Sequence, residues 1–256
     1  MVYLMYHELE ASGRVPCHSG PGYLRYLVPE SDFRAQLAAL KVSGLRGLNV
    51  SQALASEHSG AGVVITFDDG CETDLAVAAP LLKALGFQAT FYLVPGFLGC
   101  RGYLAPGQAR ELGAMGYEIG CHSMTHPYLT GLAPRELRAE TVEAKALLEQ
   151  VTGQAVHHFS CPGGRWNREV ARVAAGAGYR SVATSRAGGN GAGSNPFRLS
   201  RVAVLRGVRP EELVRIARGR GLATMRLKQA FRSSAQLLLG DAAYDRLRGA
   251  LLRGSD

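Results

Sequence analysis

Residues 62–70 read Gly-Val-Val-Ile-Thr-Phe-Asp-Asp-Gly, an apolar, β-branched run that ends in two carboxylates and a glycine. A short apolar run bounded by a turn signal is typical of a buried strand, which we predict over Gly62–Thr66. Asp68 and Asp69 then follow the carboxyl end of that strand, where Gly70 turns the chain. Because an Asp-Gly turn is common by itself, the pair needs support from other strand ends.

Similar apolar segments alternate with helical patterns along most of the chain. Alternation of this kind predicts a parallel α/β fold, either a barrel or an open sheet. The predicted strands are Val2–Tyr6, Gly62–Thr66, Ala89–Val94, Tyr117–Cys121, Val156–Ser160, Tyr179–Thr184 and Leu199–Leu205. Helices are predicted after Ser31 and over Leu75–Leu85, Gln108–Met115, Pro134–Gln150, Arg168–Ala175 and Pro210–Arg218.

Two histidines follow another predicted strand end, in the segment Cys-His-Ser-Met-Thr-His-Pro of residues 121–127. His122 and His126 can reach one ion from a single turn, and imidazole suits Zn²⁺. Ligand sites of parallel α/β folds lie at the carboxyl ends of strands, where an aspartate from the neighbouring strand would join them. Two histidines and one aspartate leave positions open for water, which is the layout of a catalytic metal centre.

Composition narrows the class of protein. The chain has 256 residues, 46% of them hydrophobic, and a formal net charge of +8. No apolar run approaches the ~18 residues of a membrane span, which excludes an integral membrane protein. The sequence shows no export signal, and its five cysteines are odd in number with no metal-binding spacing. We therefore expect reduced thiols and a cytoplasmic protein.

Most of the net charge is concentrated in the tail. The stretch from Arg215 to Arg253 holds nine basic residues against Asp241 and Asp245, a net charge of +7. One interpretation is a pair of helices packed on the rest of the fold. The other is a basic amphipathic element that docks on an anionic membrane, at its inner face. Nucleic acid is not expected as a partner, because no recognition motif accompanies the charge.

The chain carries five motifs in a fixed order, which are Thr66–Gly70, Pro80, Ala89–Phe91, Gly116–Gly120 and His122–His126. This ordered set closely resembles the polysaccharide deacetylases, the NodB-homology group of carbohydrate esterase family four. The resemblance covers roughly Val2 to Leu205 and implies a distorted (β/α)₇ barrel over 1–210, followed by a basic helical extension over 211–256. It further implies that Asp69, His122 and His126 ligate one divalent ion and that Asp68 is the general base. Zn²⁺ is preferred, with other first-row divalent ions as alternatives.

The third motif departs from the family pattern of Arg-x-Pro-aromatic-Gly, since residues 160–164 read Ser-Cys-Pro-Gly-Gly. Ser160 replaces the arginine, and Arg165 is close enough in sequence to reach the site. Gly163 replaces the aromatic residue, yet its N–H is a candidate donor to the oxyanion. Trp166 is a candidate to refill the lost bulk, the alternative being an ordinary core tryptophan. We predict Arg165 and Trp166 as substrate-binding residues.

The late histidine of the family, commonly its general acid, has no counterpart in Leu-Ser-Arg-Val-Ala-Val at residues 199–204. His7 is the predicted substitute, because it ends the first strand and imidazole suits proton donation near neutrality. It could instead be a metal ligand, a substrate hydrogen-bond donor or a rim residue. The remaining histidines are interpreted as loop or surface residues; they are His18, His58, His157 and His158.

These observations predict a metal-dependent hydrolase that removes an N-acetyl or similar small acyl group from an amino sugar. The substrate would be a polysaccharide, an oligosaccharide or a lipid-linked glycan precursor. One alternative is a catalytically silent carbohydrate-binding barrel, which would not need the Asp68 base. The other is a cytosolic amidase or deformylase that acts on a non-sugar small molecule.

Overall fold

The computed structural model describes residues 1–55, 61–227 and 229. One mostly parallel sheet forms its centre, in the order β10-β1-β5-β6-β7-β8-β9, and β4 pairs with the first residues of β5. A separate two-stranded sheet joins β2 to β3. The strands are β1 (Tyr3–Tyr6), β2 (Leu9–Glu10), β3 (Val28–Pro29), β4 (Arg46–Leu48), β5 (Gly62–Asp69), β6 (Thr90–Leu93), β7 (Glu118–Cys121), β8 (His158–Ser160), β9 (Ser181–Ala183) and β10 (Val202–Ala203).

The sheet curls back on itself near its last strand. Leu199 forms a parallel bridge to Ala183 at the end of β9, and four residues later Ala203 pairs with Met5 of β1. The segment before and within β10 therefore connects the two ends of the sheet. This confirms the predicted barrel-like α/β fold, and all seven predicted strands have a counterpart in the curled sheet.

Helices surround the sheet largely where the apolar periodicity predicts them. Two of them contain a wider, π-type turn: Asp74–Ala78 precedes α4, and Ala139–Glu143 joins α6 to α7. β4 and α3 were not predicted from the sequence, because their lengths of three and six residues are too short to show an apolar period. The helices are α1 (Pro21–Leu24), α2 (Glu30–Val42), α3 (Val50–Ala55), α4 (Ala79–Leu85), α5 (Pro106–Ala114), α6 (Pro134–Arg138), α7 (Ala144–Thr152), α8 (Arg168–Gly176) and α9 (Pro210–Ala217).

Alternation along β5 separates an apolar face from a polar interior. Successive side chains of a strand point to opposite faces. Phe67 stacks on Tyr6 and Phe91 of the neighbouring strands, with ring centroids 5.3 and 4.9 Å apart. Thr66 and Asp68 point to the other side, toward the fully buried Arg201. The main core therefore lies between the sheet and its helices, and the barrel interior holds these polar groups together with a smaller apolar cluster that includes Tyr3, Val64 and Tyr92.

The start of the C-terminal extension packs on the barrel. Leu213 and Ile216 of α9 are buried in the main core, and residues 222–227 are helical. Arg226 donates to the carbonyl of Ala187 over 3.0 Å. The rest of the predicted basic extension lies outside the described residues. Within the described ranges, every helix is too short or too polar to span a bilayer.

Candidate active site

Three side chains meet at the carboxyl ends of two strands, β5 and β7, which have β6 between them. Asp69 ends β5, and the histidines follow β7, two strands away across the sheet. One oxygen of Asp69, Oδ1, lies 3.5 Å from Nε2 of His122 and 3.4 Å from Nε2 of His126. Among the described residues that oxygen has no hydrogen-bond partner, although it is buried. A buried acceptor without a donor is costly unless a ligand compensates it.

Burial sets the protonation of these groups. It lowers the pKa of His122 to about 3 and also lowers the pKa of His126, so both imidazoles are neutral near pH 7. Burial raises the pKa of Asp69 to about 6 and outweighs the opposite effect of His7 and Arg201. Neutral imidazoles and an uncompensated carboxylate fit a divalent cation, which binds such groups and displaces protons.

The backbone at this point is unusual. In the described ranges, three residues other than glycine have positive φ: Asp69 at 82°, Ser123 at 65° and His126 at 65°. All three belong to the two loops that carry the cluster. Such conformations cost roughly 1–3 kcal/mol each and concentrate at functional sites. The strain aims the carboxylate and the second imidazole at a common point.

Hydrogen bonds orient both histidines. Nδ1 of His122 lies 2.8 Å from the carbonyl of Ser160, to which it can only donate, so its Nε2 keeps a free lone pair facing Asp69. Glu140, from the wider turn before α7, accepts from the backbone N–H of Met124 and Thr125 at 2.8 and 2.9 Å. It therefore fixes the loop between the two histidines.

Asp68 forms a buried ion pair with Arg201. The two guanidinium nitrogens donate to the two carboxylate oxygens at 2.7 Å each, and both side chains are almost fully buried. Burial alone raises the pKa of a carboxyl group, but the attraction of Arg201 outweighs it. The pKa of Asp68 therefore lies well below its usual range. Asp68 is ionised and held in one orientation beside His122, whose Nε2 is 3.7 Å away.

Arg201 was not assigned a role from the sequence. The guanidinium also donates to the hydroxyl of Ser160 at 2.7 Å, to Thr66 at 3.2 Å and to the carbonyl of Thr184 at 3.0 Å. Arg165, the arginine considered for this role, instead lies 3.8 Å over the ring of Tyr128. The available signal was an arginine within the apolar run 199–205, because a cation inside a buried strand needs an anionic partner.

The third motif forms a turn against Tyr128. Gly163 has φ 61°, and a Cβ there would lie 2.7 Å from the Tyr128 ring. The half-exposed Tyr128 therefore fills the space beside Gly163. Trp166 was the residue predicted from the sequence to fill that space. Trp166 is partly buried, donates to the carbonyl of Phe197 at 2.7 Å and packs against the main core. Substrate contacts of Arg165 and Trp166 stay predictions.

His7 lies one residue beyond β1, at the same end of the barrel. Its ring packs 4.6 Å from that of Tyr26, and its buried Nδ1 has no hydrogen-bond partner among the described residues. The positive charge of a protonated His7 lowers the pKa of Asp69. These facts place His7 near the cluster, and its role as the acid stays a prediction.

Among the histidines that the structure describes, one differs from the sequence interpretation; His58 lies outside the described residues. His158 was interpreted as a loop or surface residue, but it begins β8 and is 1% exposed. Its ring bonds to the hydroxyls of Ser51 and Ser181, both at 2.8 Å, and lies 3.4 Å from Glu118. The strand itself was predicted, but two imidazoles in a row gave no sign of which one is buried. This network lies at the opposite, amino ends of the strands.

The model of the polysaccharide deacetylase family matches residues 55–182, half of the chain. The chain belongs to the polysaccharide deacetylase family. Bacillus subtilis YxkH, which carries the same family name, is 28% identical over 210 residues, covering 80% of this chain and 71% of that protein. A chitooligosaccharide deacetylase of Sinorhizobium fredii is 30% identical over 49% of this chain and 59% of the relative. A peptidoglycan-N-acetylglucosamine deacetylase of Bacillus cereus is 31% identical over 47% and 54%.

Solved structures of similar proteins have the same fold as this chain. The Streptococcus pyogenes deacetylase PplD, in complex with acetate, has a TM-score of 0.74 and 25% identity, over 84% of this chain and 96% of PplD. The fold of IcaB from Ammonifex degensii matches with a TM-score of 0.70 at 24% identity, over 85% of this chain and 95% of IcaB. The alignments with the Sinorhizobium and Bacillus cereus deacetylases span only about half the length of those relatives.

Proposed function

We propose that this polysaccharide deacetylase is a metal-dependent hydrolase that removes a small acyl group, acetyl in the first instance, from the nitrogen of an amino sugar. The observation that carries the proposal is the buried Oδ1 of Asp69, which faces Nε2 of His122 and His126 at 3.4–3.5 Å and has no hydrogen-bond donor in the described part of the chain. The named activities of the chitooligosaccharide and peptidoglycan relatives support the substrate class. A polysaccharide, an oligosaccharide and a lipid-linked precursor remain within that class.

Asp69, His122 and His126 would hold the ion, with Zn²⁺ preferred for its affinity for imidazole. A bound divalent cation lowers the pKa of water and polarises a carbonyl oxygen. Asp68 is ionised and lies 3.7 Å from His122, so it can accept the proton that the attacking water loses. Arg201 holds that carboxylate in place through two hydrogen bonds.

The other groups act on the amide. The N–H of Gly163, at the turn beside Tyr128, is our candidate donor to the developing oxyanion. His7 is our candidate to protonate the departing amine, since its Nδ1 is buried at the same end of the barrel without a described partner. Arg165, which is partly buried, and the exposed Tyr128 form a cation–aromatic pair that can contact a sugar ring.

Amine release from a panel of N-acetyl and N-formyl sugars, with and without a chelator, tests the activity. We expect release that the chelator abolishes and that added Zn²⁺ or another first-row ion restores. Asp68→Asn should keep its metal and lose about 10²–10⁴-fold in rate. Asp32→Asn, a carboxylate on α2 outside the site, is the matched control and should keep full activity.

Two results would contradict the proposal. Turnover of non-sugar amides with no sugar turnover would indicate an amidase or deformylase. Sugar binding without any amine release would indicate a silent carbohydrate-binding barrel. In addition, an unchanged metal content in His122→Ala/His126→Ala would show that these two histidines are not the metal ligands.

His7→Ala separates the roles open to that residue. Loss of an acid leaves the metal content unchanged and lowers kcat, most for substrates with the most basic leaving amine. Loss of a ligand lowers metal content together with rate. Unchanged kcat and metal content would show that His7 is only a rim residue.

The basic tail is proposed to dock on an anionic membrane surface. Each basic residue near such a surface adds about 1 kcal/mol, screened by salt. Full-length protein should then sediment with anionic vesicles more than with neutral ones, and less at high salt. Equal binding to both kinds of vesicle, or no binding, would contradict membrane docking. The alternative would then stand, in which this segment packs on the barrel in the way that α9 does.

A further inference from the structure

A second group of potential metal ligands lies outside the Asp69 cluster. One carboxylate oxygen of Glu8 and the two sulfurs of Cys17 and Cys71 all lie within 4.8 Å of one another. Glu8 and Cys71 are buried, and Cys17 is half-buried. Glu8 lies in the connection between β1 and β2, Cys17 in the loop between β2 and α1, and Cys71 in the turn after β5. Sequence spacing gave no sign of this, since the two cysteines are 54 residues apart.

The separation of the sulfurs fits a shared metal ion. Sγ of Cys17 lies 3.7 Å from Sγ of Cys71. Two thiolates bound to one tetrahedral zinc, each at about 2.3 Å, are about 3.8 Å apart. A disulfide would require about 2.05 Å. Both cysteines are free thiols, so the observed distance needs little change to accept an ion between them.

The surroundings of Cys17 shape this space. Gly102, with φ +87°, lies so close that a Cβ would be 2.8 Å from the Cys17 sulfur. Its carbonyl accepts from that thiol at 3.2 Å, and the backbone N–H of Cys17 donates to Glu8 at 3.1 Å. The thiol is thus fixed toward Glu8 and Cys71 by a glycine that leaves room for it.

Two buried acidic side chains at this corner have no cationic partner among the described residues. Glu8 is 4% exposed, and its described partners are neutral donors, including the hydroxyl of Tyr23 at 2.7 Å. Asp74 is fully buried, and neither of its oxygens has a partner in the described ranges. Its N–H bonds to the carbonyl of Cys71 at 3.0 Å, so it belongs to the same turn. Buried carboxylates require compensation.

We propose that Glu8, Cys17 and Cys71 form a second metal site, separate from the Asp69 cluster, that takes a thiophilic divalent cation of the zinc type. Two thiolates select such an ion over Mg²⁺ or Ca²⁺. The fourth position is open to water or to the hydroxyl of Tyr23, which lies 3.7 Å from the Cys71 sulfur. The ion ties the loop that carries Cys17 to the turn two residues after Asp69.

Cobalt is the probe that tells the two sites apart, because only a sulfur ligand gives a thiolate-to-cobalt charge-transfer band in the near ultraviolet. Full-length protein is purified under reducing conditions, stripped with a chelator, dialysed and titrated with Co²⁺. We expect two ions per chain and the charge-transfer band. His122→Ala/His126→Ala should keep the band and lose one ion, whatever its deacylase activity. Cys17→Ser/Cys71→Ser should lose the band and one ion.

Two further variants complete the design. Cys100→Ser, at an exposed free thiol, is the matched control and should keep the band unchanged. Glu8→Gln keeps both thiols, so it tests the site even where the double cysteine variant fails to fold. It should weaken Co²⁺ binding at the sulfur site at least about tenfold, as expected for loss of a charged ligand.

Absence of the band in the wild-type chain would overturn the proposal, as would its persistence in Cys17→Ser/Cys71→Ser. Intact-mass measurement of the loaded protein gives an independent check. A loss of two hydrogens that maps to a Cys17–Cys71 disulfide would show that the pair is oxidised and does not bind metal. Because the readouts are ion count and sulfur absorption, they stand apart from any failure of deacylase activity.

Discussion

Arg201→Met removes the guanidinium from Asp68 while keeping most of the side-chain volume. The bidentate pair has two 2.7 Å hydrogen bonds, and the side chains are 0% and 3% exposed. Removing one partner of such a pair leaves a buried charge without compensation and costs about 3–5 kcal/mol. We therefore expect a loss of that size in the free energy of unfolding.

Urea unfolding of the chelator-treated protein measures the effect, because a bound metal would otherwise add its own stabilisation. Arg172→Met is the matched control: Arg172 makes the same two-nitrogen contact with Glu169, but on the exposed surface of α8. That variant should leave the urea midpoint unchanged, since exposed pairs contribute little.

A double-mutant cycle identifies the cause. Asp68→Asn/Arg201→Met carries no buried charge at this position, so it should be more stable than Arg201→Met alone. A loss below about 1 kcal/mol for Arg201→Met, or simple additivity in the double variant, would refute the assignment of Arg201 as the partner that keeps Asp68 ionised.

Three further predictions concern the rest of the site and the barrel. Gly164→Ala, whose Cβ would lie 2.4 Å from Ser185 at φ +69°, should cost about 2 kcal/mol or more in unfolding free energy. Glu140→Gln should weaken zinc binding in a chelator competition with little change in Tm, because Glu140 fixes the loop before His126. The pKa of Glu118 is lowered, since its hydrogen bonds outweigh burial, so its stabilisation is present above the unfolded pKa of about 4.3 and is lost as pH falls through the folded value. Glu118→Gln should accordingly be less stable than wild type at pH 7, with urea midpoints that converge as the pH falls through the folded pKa of Glu118.

The elements that local pattern determines could be predicted from the sequence. The run at residues 62–66 is apolar on both faces, as a central parallel strand requires, and the structure places it within β5, between β1 and β6. Because carboxyl ends of parallel strands share one edge, Asp69 and His122 could be placed together without coordinates. The same logic placed His7 at that edge.

Contacts between distant strands could not be predicted in this way. Arg201 and Asp68 are 133 residues apart, and their pairing depends on β10 joining β1 at the closing edge of the sheet. Cys17 comes from a loop without periodicity, so its approach to Cys71 left no mark in the sequence. Short elements such as β4 fail for a different reason, since three residues carry too little pattern.

The two departures from the family pattern have a common physical explanation. The chain resembles the family but lacks both the arginine of the third motif and the late histidine. In the structure, Arg201 falls in the segment where that histidine is expected and supplies the guanidinium to Asp68. Ser160, fully buried at the place of the missing arginine, accepts from Arg201 at 2.7 Å and lies 3.3 Å from Asp68. An arginine at 160 would bring a second buried cation to one carboxylate, so the small residue and the displaced guanidinium require each other. Since a guanidinium does not release a proton near neutral pH, this exchange also removes the acid from that strand. We propose His7 as the substitute, because imidazole can supply a proton and the buried Nδ1 of His7 has no hydrogen-bond partner among the described residues.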